Sequence, residues 1–320
     1  MYKYATAIGV DIGRFSLKIA VVNLDGDILL EESVSLKKEQ ERDTLIFSIK
    51  DSIQKIRQKA ASDGINPIAV GIAAKGFVDH VSGIVLGPDQ GIAGWKDVPL
   101  GKTISRETGL PTFVGNDANL MTIAEQKYGA AKGYMNVVFI ALRTGIGGGI
   151  IVNGKLYRGV NDAGGEIGQM IINYSGKVSD IGIRGSLEYY ASASALVRRY
   201  LEESERTADP KLEAISAKEI FNLSYKGNPV ALKVVEENAN LIGIGLANLI
   251  TIFAPEIIVI GGGMAEADQT YLNMIRESAF LNSLENCRSS VKVERAHLGS
   301  NAAIMGGAYY SLTRLARKPI

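Results

Sequence analysis

The sequence predicts an α/β protein made of two lobes, and three observations support this prediction. Its 320 residues are enough for two domains, each with its own hydrophobic core. Hydrophobic residues make up 46% and charged residues 22%, which is the usual balance of a globular chain. Each half begins with a strand, a glycine-containing turn and a hairpin, and then mixes helices with strands. This repeated order indicates an internal duplication.

The first half is predicted as three strands, a helix, a strand, a helix and a strand. Asp25-Gly26 separates the second and third strands and is a strong signal for a two-residue hairpin turn. Leu45, Ile49 and Ile53 recur at helical spacing, which predicts an amphipathic helix over residues 43–60. The strands are predicted over residues 5–11, 17–23, 28–30, 68–73 and 112–114.

The second half repeats this order. A predicted strand over 137–142 leads into a glycine loop over 144–149, and Asn153-Gly154 forms the turn of a second hairpin. A later strand runs directly into the glycines 261–263. The remaining predictions are helices over 186–203, 229–253 and 302–317 and strands over 256–260 and 291–294.

Composition and charge narrow the class of protein. The formal net charge is +1, so no strong field favours nucleic acid or a membrane surface. The longest apolar run, 241–254, is too short to span a bilayer and predicts a buried helix. Cys287 is the one cysteine, which excludes an intrachain disulfide, and the first residues lack the apolar stretch of a signal peptide. We therefore expect a cytoplasmic protein that binds neither membrane nor nucleic acid directly.

Two segments carry the chemistry. The run Gly115-Asn116-Asp117-Ala118-Asn119 places a carboxylate at a strand-to-helix corner, where it is able to accept a proton from a bound hydroxyl. The glycine loop over 144–149 exposes backbone N–H groups to a phosphate. A base beside a phosphate cradle is the minimum equipment for moving a phosphoryl group onto an alcohol. The alternative for Asp117 is a helix N-cap, because an apolar helical pattern follows it.

Six short motifs follow one another along nearly the whole chain. They are Asp11-Ile12-Gly13, Gly115-Asn116-Asp117-Ala118-Asn119, the loop over 144–149, Gly165-Glu166-Ile167-Gly168, Ser186-Leu187-Glu188 and Gly261-Gly262-Gly263. In order and spacing these motifs resemble the ROK family (repressors, open reading frames and kinases). The resemblance implies an actin-like, ribonuclease-H-like two-lobe fold with a central cleft. Residues 1–115 and 302–320 would form the smaller N-terminal lobe and 116–301 the larger C-terminal lobe.

The resemblance also implies an activity and a set of residues for it. The activity is phosphorylation of a hexose or hexose derivative with ATP and Mg²⁺, by a glucokinase-like enzyme that forms a homodimer. Asp117 would be the general base. Asn116, Glu166, Gln169 and Glu188 would bind sugar hydroxyls, and Asp11 would reach Mg²⁺ through water. The residues expected around the nucleotide and its phosphates are Asp11, Gly13, Lys18, Thr144, Gly145, Gly147, Gly148, Gly262 and Gly263.

Structural alternatives remain open for these residues. Glu188 also suits the first turn of a helix, where a carboxylate faces the helix dipole, and Glu166 suits a surface strand. Asp11 suits a turn cap and Lys18 a solvated strand position. The glycines suit a hairpin entry and a strand-to-helix turn. Trp95 and the segment 88–91 are equally consistent with a loop beside the sugar and with a packing anchor.

The chain departs from the family pattern at the structural zinc motif. Gln169, Ser179, Ile181 and Ser186 occupy the positions of one histidine and three cysteines. Isoleucine offers no donor atom, and serine and glutamine are poor zinc ligands. The two histidines, His80 and His297, fit no metal spacing. We therefore predict no structural zinc.

The phosphate loops also differ from the pattern. Arg14-Phe15 stands in place of Gly-Thr, and Arg143 stands in place of a glycine. The arginines either point to solvent or add positive charge that suits a different donor, such as a longer polyphosphate. These changes motivate a second hypothesis, a catalytically weak sugar-binding sensor or regulator. A DNA-binding transcriptional regulator is disfavoured, because Asp11 lies too near the start for a preceding helix-turn-helix.

Overall fold

Two five-stranded sheets with the same strand order organise the chain. The computed structural model describes residues 5–37, 39–87, 91–207 and 215–316. The strands are β1 (Thr6–Ile12), β2 (Ser16–Asn23), β3 (Ile28–Ser35), β4 (Gln40–Glu41), β5 (Val70–Ala74), β6 (Val78–Asp79), β7 (Ile84–Val85), β8 (Ile92–Ala93), β9 (Thr112–Asn116), β10 (Val137–Leu142), β11 (Ile146–Val152), β12 (Lys155–Leu156), β13 (Ile257–Gly261) and β14 (Lys292–Arg295). The helices are α1 (Arg42–Ser62), α2 (Leu100–Thr108), α3 (Asp117–Tyr128), α4 (Leu187–Ala191), α5 (Ala193–Thr207), α6 (Ala217–Tyr225), α7 (Pro229–Phe253), α8 (Gln269–Leu281), α9 (Glu285–Arg288) and α10 (Ala302–Ala316).

The two sheets repeat one topology. The first has the order β3-β2-β1-β5-β9, and the second has the order β12-β11-β10-β13-β14. In each sheet the first three strands along the chain are antiparallel, a fourth strand pairs in parallel with the first, and a fifth pairs in parallel with the fourth. The internal duplication predicted from the sequence is therefore confirmed at the level of strand order.

The chain divides into two compact units. The first comprises Met1–Lys132, Arg158–Gly164 and Ser300–Ile320, and the second comprises Gly133–Tyr157 and Gly165–Gly299. Helix α3 lies in the first unit, where it packs against α10 and β9. The division at residue 115 made from the sequence assigns this helix to the other lobe, because the chain pattern does not reveal its contact with the last helix.

In the first unit, the sheet is covered differently on its two faces. Ile8 and Val10 of β1 share a core with Leu45 and Ile49 of α1. On the opposite face, a Cβ atom added to Gly9 would overlap the carbonyl oxygen of Ile304 in α10. Gly71 of β5 makes the same close approach to α10. Helix α10 therefore rests with its backbone directly on the sheet.

The second unit has a core built around α7, which packs against α6 and α8. Asn228 caps this helix and Pro229 begins it, as expected for a helix start. The single helix predicted over 186–203 is wrong, because the chain breaks at Ser192 between α4 and α5. Ser192 has an extended backbone, and its hydroxyl accepts a hydrogen bond from the backbone N–H of Ala195. The break allows the N–H of Ala193 to donate to the carbonyl of Arg143, 2.9 Å away.

The predicted glycine loop is shorter than expected. Strand β11 begins at Ile146, and Gly147, Gly148 and Gly149 pair with β10. Only residues 143–145 form the turn, in which the Arg143 N–H donates to the Gly145 carbonyl at 2.9 Å. In the part of the chain that is described, no helix is long and apolar enough to cross a membrane.

Candidate functional site

In the first unit, Asp11 and Lys18 lie opposite each other in the ladder between β1 and β2. Directly opposed residues project from the same face of a sheet. The Asp11 side chain is 7% exposed, and the Lys18 Nζ donates to the Ser300 hydroxyl at 2.8 Å. Gly13 closes the turn between the strands through its N–H, which donates to the Ser16 carbonyl at 2.9 Å. Lys18 is therefore a tethered cation on the face of Asp11 rather than a solvated strand lysine.

The corner between β9 and α3 separates the roles of its two polar residues. The Asn116 side chain is the N-cap, because its Oδ1 accepts from the N–H of Asn119 at 3.0 Å. Its Nδ2 donates to the Gly76 carbonyl at 3.1 Å. Asp117 is the first helical residue and accepts from the N–H of Ala118 at 2.9 Å. The alternative that made Asp117 the cap is wrong, since Asn116 fills that role.

In the second unit, the Glu188 carboxylate joins two predicted site segments. Its Oε2 accepts from the N–H of Ile146 at 2.7 Å, and its Oε1 accepts from Gln169 Nε2 at 3.1 Å. A Cβ atom at Gly145 would overlap this carboxylate. Glu188 does lie in the first turn of α4, as the helix-dipole alternative requires, but its side chain also ties the β10–β11 turn to Gln169. The structure thus brings Gly145, Gln169 and Glu188 together.

The Gln169 and Glu166 side chains differ in burial. Gln169 Oε1 is buried and has no hydrogen-bond partner within the described residues. Glu166 is exposed and directly precedes the 3₁₀ turn Ile167–Gln169. Its carbonyl accepts from the N–H of Gln169 at 3.0 Å. Glu166 is therefore at the start of a turn rather than on a strand.

The predicted phosphate-binding glycines fall into two groups. Side chains at Gly148 and Gly262 would collide with Ile167 and with the Leu142 backbone, so packing within the protein already requires glycine there. Gly263 is exposed, and a Cβ atom there would meet nothing within 4 Å. Packing therefore does not explain Gly263. Thr144 is exposed at the turn after β10, and Gly147 is partly buried in β11.

The positions of the family's zinc ligands carry other interactions here. The Ser186 hydroxyl caps α4 by accepting from the N–H of Tyr189, and the Ser179 hydroxyl accepts from the N–H of Ile183. Ile181 is 58% exposed. Gln169 donates to Glu188, as described above. These residues do not fit a zinc ion, because none offers a thiolate or an imidazole and three of them serve in hydrogen bonds.

A cluster that the sequence does not reveal lies in the first unit. His80 Nδ1 and Asp162 Oδ2 are 2.6 Å apart, although 82 positions separate the residues in the chain. Asp79, His80 and Asp162 place possible metal-ligand atoms within 4.8 Å of one another. The expectation that His80 fits no metal spacing holds along the chain but not in space. Arg158 donates to the other Asp162 oxygen at 3.1 Å, which disfavours a cation beside that carboxylate.

The altered residues of the first phosphate turn are at the surface. Phe15 is 58% exposed, and the Arg14 guanidinium lies 5.5 Å from the centre of its ring. Arg143 is partly buried at the other turn. Trp95 is 1% exposed and belongs to the core of the first unit, so it is a packing anchor. Residues 88–90, including Gln90, lie outside the described residues.

The two duplicated sheets and their flanking helices define an actin-like, ribonuclease-H-like α/β protein. The ROK family profile matches residues 7–314, and the chain belongs to this family. A glucokinase from Halalkalibacterium halodurans is 32% identical over 310 residues, which cover 94% of this chain and 93% of that protein. A xylose repressor from Bacillus subtilis is 30% identical over 307 residues, covering 95% of this chain and 76% of the repressor. The crystal structure of a ROK family glucokinase from Streptomyces griseus in complex with glucose and AMPPNP matches with a TM-score of 0.84 at 32% identity, covering 97% of this chain and all of that one.

Proposed function

We propose that the protein is an ATP- and Mg²⁺-dependent kinase of a hexose or hexose derivative. Relatives named glucokinase that match nearly full-length support this activity. The observation that carries the proposal is that Asn116 and Asp117 have different structural roles where β9 meets α3. Asn116 caps the helix, so capping does not account for the carboxylate of Asp117. A carboxylate at this position suits a general base for the acceptor hydroxyl.

The proposed reaction assigns a task to each group. The sugar hydroxyl oxygen bonds to the γ-phosphorus while the bond from that phosphorus to the leaving oxygen of ADP breaks. The hydroxyl proton passes to the Asp117 carboxylate. Asn116, Glu166, Gln169 and Glu188 orient the sugar through hydrogen bonds. Thr144, the glycines of the second unit and Gly13 would contact the nucleotide and its phosphates.

Asp11 is the residue that would hold Mg²⁺ through water. The residue fits this role, because a carboxylate at a strand end supplies the oxygen ligand that Mg²⁺ prefers. When bound, the ion neutralises negative charge on the transferred phosphoryl group. Lys18, tethered by Ser300 on the same face, would add a fixed positive charge near the phosphates.

A coupled assay of ADP release over a panel of hexoses and N-acetylhexosamines tests the proposal. We expect turnover on one sugar, and a loss of about 10²-fold or more in Asp117→Ala because the general base is removed. Sugar binding should persist in this variant. Turnover that Asp117→Ala leaves unchanged would remove Asp117 from the mechanism. No turnover on any sugar would contradict the kinase assignment with ATP.

Arg14 and Phe15 favour a second candidate, a sugar-binding sensor or a kinase with another phosphate donor. An exposed aromatic ring paired with a guanidinium occupies the turn where the family has Gly-Thr. A sensor would be stabilised against heat by sugar alone, whereas a kinase would also respond to ATP with Mg²⁺. Replacing Arg14 and Arg143 with glycine should shift the preference between ATP and polyphosphate if their charge selects the donor. An unaltered preference would exclude that role.

We also propose a homodimer that contains no structural zinc and binds no nucleic acid directly. The replaced zinc-ligand positions support the statement on zinc, and the net charge of +1 supports the statement on nucleic acid. Light scattering gives the mass in solution, and elemental analysis of purified protein gives the zinc content. A change in the electrophoretic mobility of duplex DNA on adding the protein at physiological salt would contradict the statement that it binds no nucleic acid.

A further inference from the structure

The segment Arg158–Gly164 has an unusual backbone just before the proposed sugar-binding turn. Asn161 and Asp162 are consecutive non-glycine residues with φ of 55° and 58°, in the left-handed region. Such conformations persist where surrounding contacts fix them. Asn and Asp tolerate this region better than other non-glycine residues, yet two in succession are rare. The contacts that hold this segment therefore need to be identified.

The Asp162 carboxylate supplies those contacts. Its side chain is 7% exposed and accepts three hydrogen bonds. Oδ2 accepts from the His80 backbone N–H at 3.0 Å and pairs with His80 Nδ1 at 2.6 Å, while Oδ1 accepts from Arg158 at 3.1 Å. Burial alone would raise the pKa of Asp162, but the bonds from His80 and the charges of His80 and Arg158 hold it below its ordinary value. The Asp162 carboxylate is thus ionised and buried, and it fixes the segment Arg158–Gly164 to its partners.

The partners of Asp162 are themselves fixed. The Arg158 guanidinium lies 5.6 Å from the centre of the Tyr310 ring in α10. The turn that carries His80 is closed by Asp79, whose Oδ1 accepts from the N–H of Val81 at 2.9 Å. Asp162 therefore binds directly to the turn after β6, and its partner Arg158 lies against Tyr310 of α10.

The anchored residue is close in the chain to residues of the proposed site. Four positions separate Asp162 from Glu166, and Gln169 follows in the same 3₁₀ turn. Because only residues 163–165 link Asp162 to Glu166, fixing Asp162 limits the positions that Glu166 can adopt. Gln169 continues the connection by donating to Glu188. A contact made by Asp162 thereby reaches the residues that would hold the sugar.

We propose that Asp162, clamped by His80 and Arg158, is a positioning residue for the sugar-binding segment Glu166–Gln169. This inference rests on the proposed function for its kinetic part, but its structural part stands apart from it. A divalent cation at Asp79, His80 and Asp162 is the competing use of the same side chains. Hydrogen bonds from Arg158 and from backbone N–H groups already occupy these carboxylates, which favours the clamp.

Amide hydrogen exchange on the full-length protein without ligand tests the structural part. Asp162→Gly removes the anchor while glycine still accepts the positive φ. We expect faster exchange across residues 163–170 and unchanged exchange in β13. His80→Ala should produce a smaller change in the same residues, because the backbone N–H of residue 80 and Arg158 still bind Asp162, and no further change in the Asp162→Gly background, because the His80 ring acts through Asp162. Unchanged exchange over 163–170 in Asp162→Gly would overturn the proposal.

Kinetics on the sugar that gives turnover test the link to binding. We expect Asp162→Gly to raise the KM for sugar about tenfold, as for loss of a hydrogen-bonded charged group. The kcat and the KM for ATP should stay within about twofold, and Asp162→Asn should restore part of the loss because its amide oxygen still accepts. Faster exchange with an unchanged KM for sugar would overturn the positioning role. Equal losses in sugar and ATP binding would indicate a general structural defect and would also overturn it.

Two controls distinguish the clamp from a general charge effect and from a metal site. Glu203→Gln removes a carboxylate that also binds two cations, Arg206 and Lys233, and should leave the KM for sugar unchanged. Stabilisation of the wild type by Zn²⁺ that is lost in His80→Ala would assign the cluster to a cation and overturn the clamp. A wild type with no turnover on any hexose would contradict the proposed function alone, since the exchange measurement still decides whether Asp162 positions the segment.

Discussion

The Glu188 carboxylate occupies the space that a side chain at Gly145 would need. From that position it accepts the N–H of Ile146, the first residue of β11, and the amide of Gln169. The sequence assigned Glu188 to the sugar and Gly145 to the phosphates as separate functions. The structure joins the two residues, so a change at the turn after β10 also affects a residue that we propose binds the sugar.

Gly145→Ala should therefore weaken sugar binding although residue 145 belongs to the proposed phosphate turn. The new Cβ would push the Glu188 carboxylate away, breaking its bonds to Ile146 and Gln169. We expect the Kd for sugar to rise about tenfold or more, since hydrogen bonds to a charged group are lost. Isothermal titration with the preferred hexose measures this. Unchanged sugar affinity together with a weaker Kd for AMPPNP would show that the two functions are independent.

Gly263→Ala should separate nucleotide binding from stability. Because a Cβ there would meet no protein atom within 4 Å, thermal stability should be unchanged. The KM for ATP should rise about tenfold if the nucleotide lies against this backbone, by loss of close approach. Thermal unfolding and initial rates at varied ATP measure both effects. A lower melting temperature with an unchanged KM for ATP would instead make Gly263 a purely structural residue.

Asp117→Asn should mainly reduce turnover, whereas Asn116→Ala should reduce stability. Asp117→Asn keeps the shape of the first helical residue but removes the proposed base, so kcat should fall about 10²-fold or more at an unchanged melting temperature. Asn116→Ala removes the cap of α3 and should cost about 1 kcal/mol of stability. Melting curves and kcat for both variants distinguish the roles. A large loss of stability in Asp117→Asn would restore the capping role to that residue.

The sequence predicted the parts of the fold that depend on local patterns. Helix α7 and strand β10 were predicted with their observed limits, because a long apolar helix and a continuous β-rich run are strong local signals. The break at Ser192 was missed because it accompanies a hydrogen bond from the N–H of Ala193 to the carbonyl of Arg143, a residue far away in the chain. Tertiary contacts of this kind override local helix propensity.

In the candidate site too, the sequence predicted local motifs but not contacts between residues far apart in the chain. Asp117, Glu188 and Gln169 were selected as candidates because they fall within motifs of fixed spacing. The cluster of His80 with Asp162 was not, because no motif relates residues 82 positions apart. The early start of β11 was also missed, since glycine is depleted in strands and is typical of loops. Packing of Ile167 against Gly148 explains why glycine stands within that strand.

Low pH should reduce the stability of the second unit, in part because Glu203 becomes protonated. Hydrogen bonds from Arg206 and then Lys233 lower the pKa of this carboxyl to about 2, against an ordinary value of 4.5. A lowered folded-state pKa contributes stability above the unfolded value, which is lost as pH falls from about 4.5 towards 2. Glu203→Gln should flatten the fall in melting temperature over this window at low salt. The exposed neighbour Glu202→Gln is the control, and equal flattening in both would contradict the role of Glu203.

Gly71→Ala should be strongly destabilising for its size. The added methyl group would overlap the carbonyl of Gly307 in α10, and backbone at such a contact has no rotamer with which to yield. Overpacking of this kind typically costs about 1–3 kcal/mol. Urea unfolding measures the loss, with Ala69→Gly as a neighbouring change that removes volume instead. A stable Gly71→Ala variant would show that α10 shifts freely on the sheet.

The backbone contact between α10 and the first sheet has a consequence for biosynthesis. Gly9 and Gly71 meet a helix that is translated only after the whole of Gly165–Gly299. Until then, one face of the first sheet lacks the helix that packs against β1 and β5, while the rest of the second unit is being translated. Domains usually fold in the order in which they leave the ribosome. Here the unit whose synthesis begins first is completed last, because α10 follows the whole of Gly165–Gly299 in the chain.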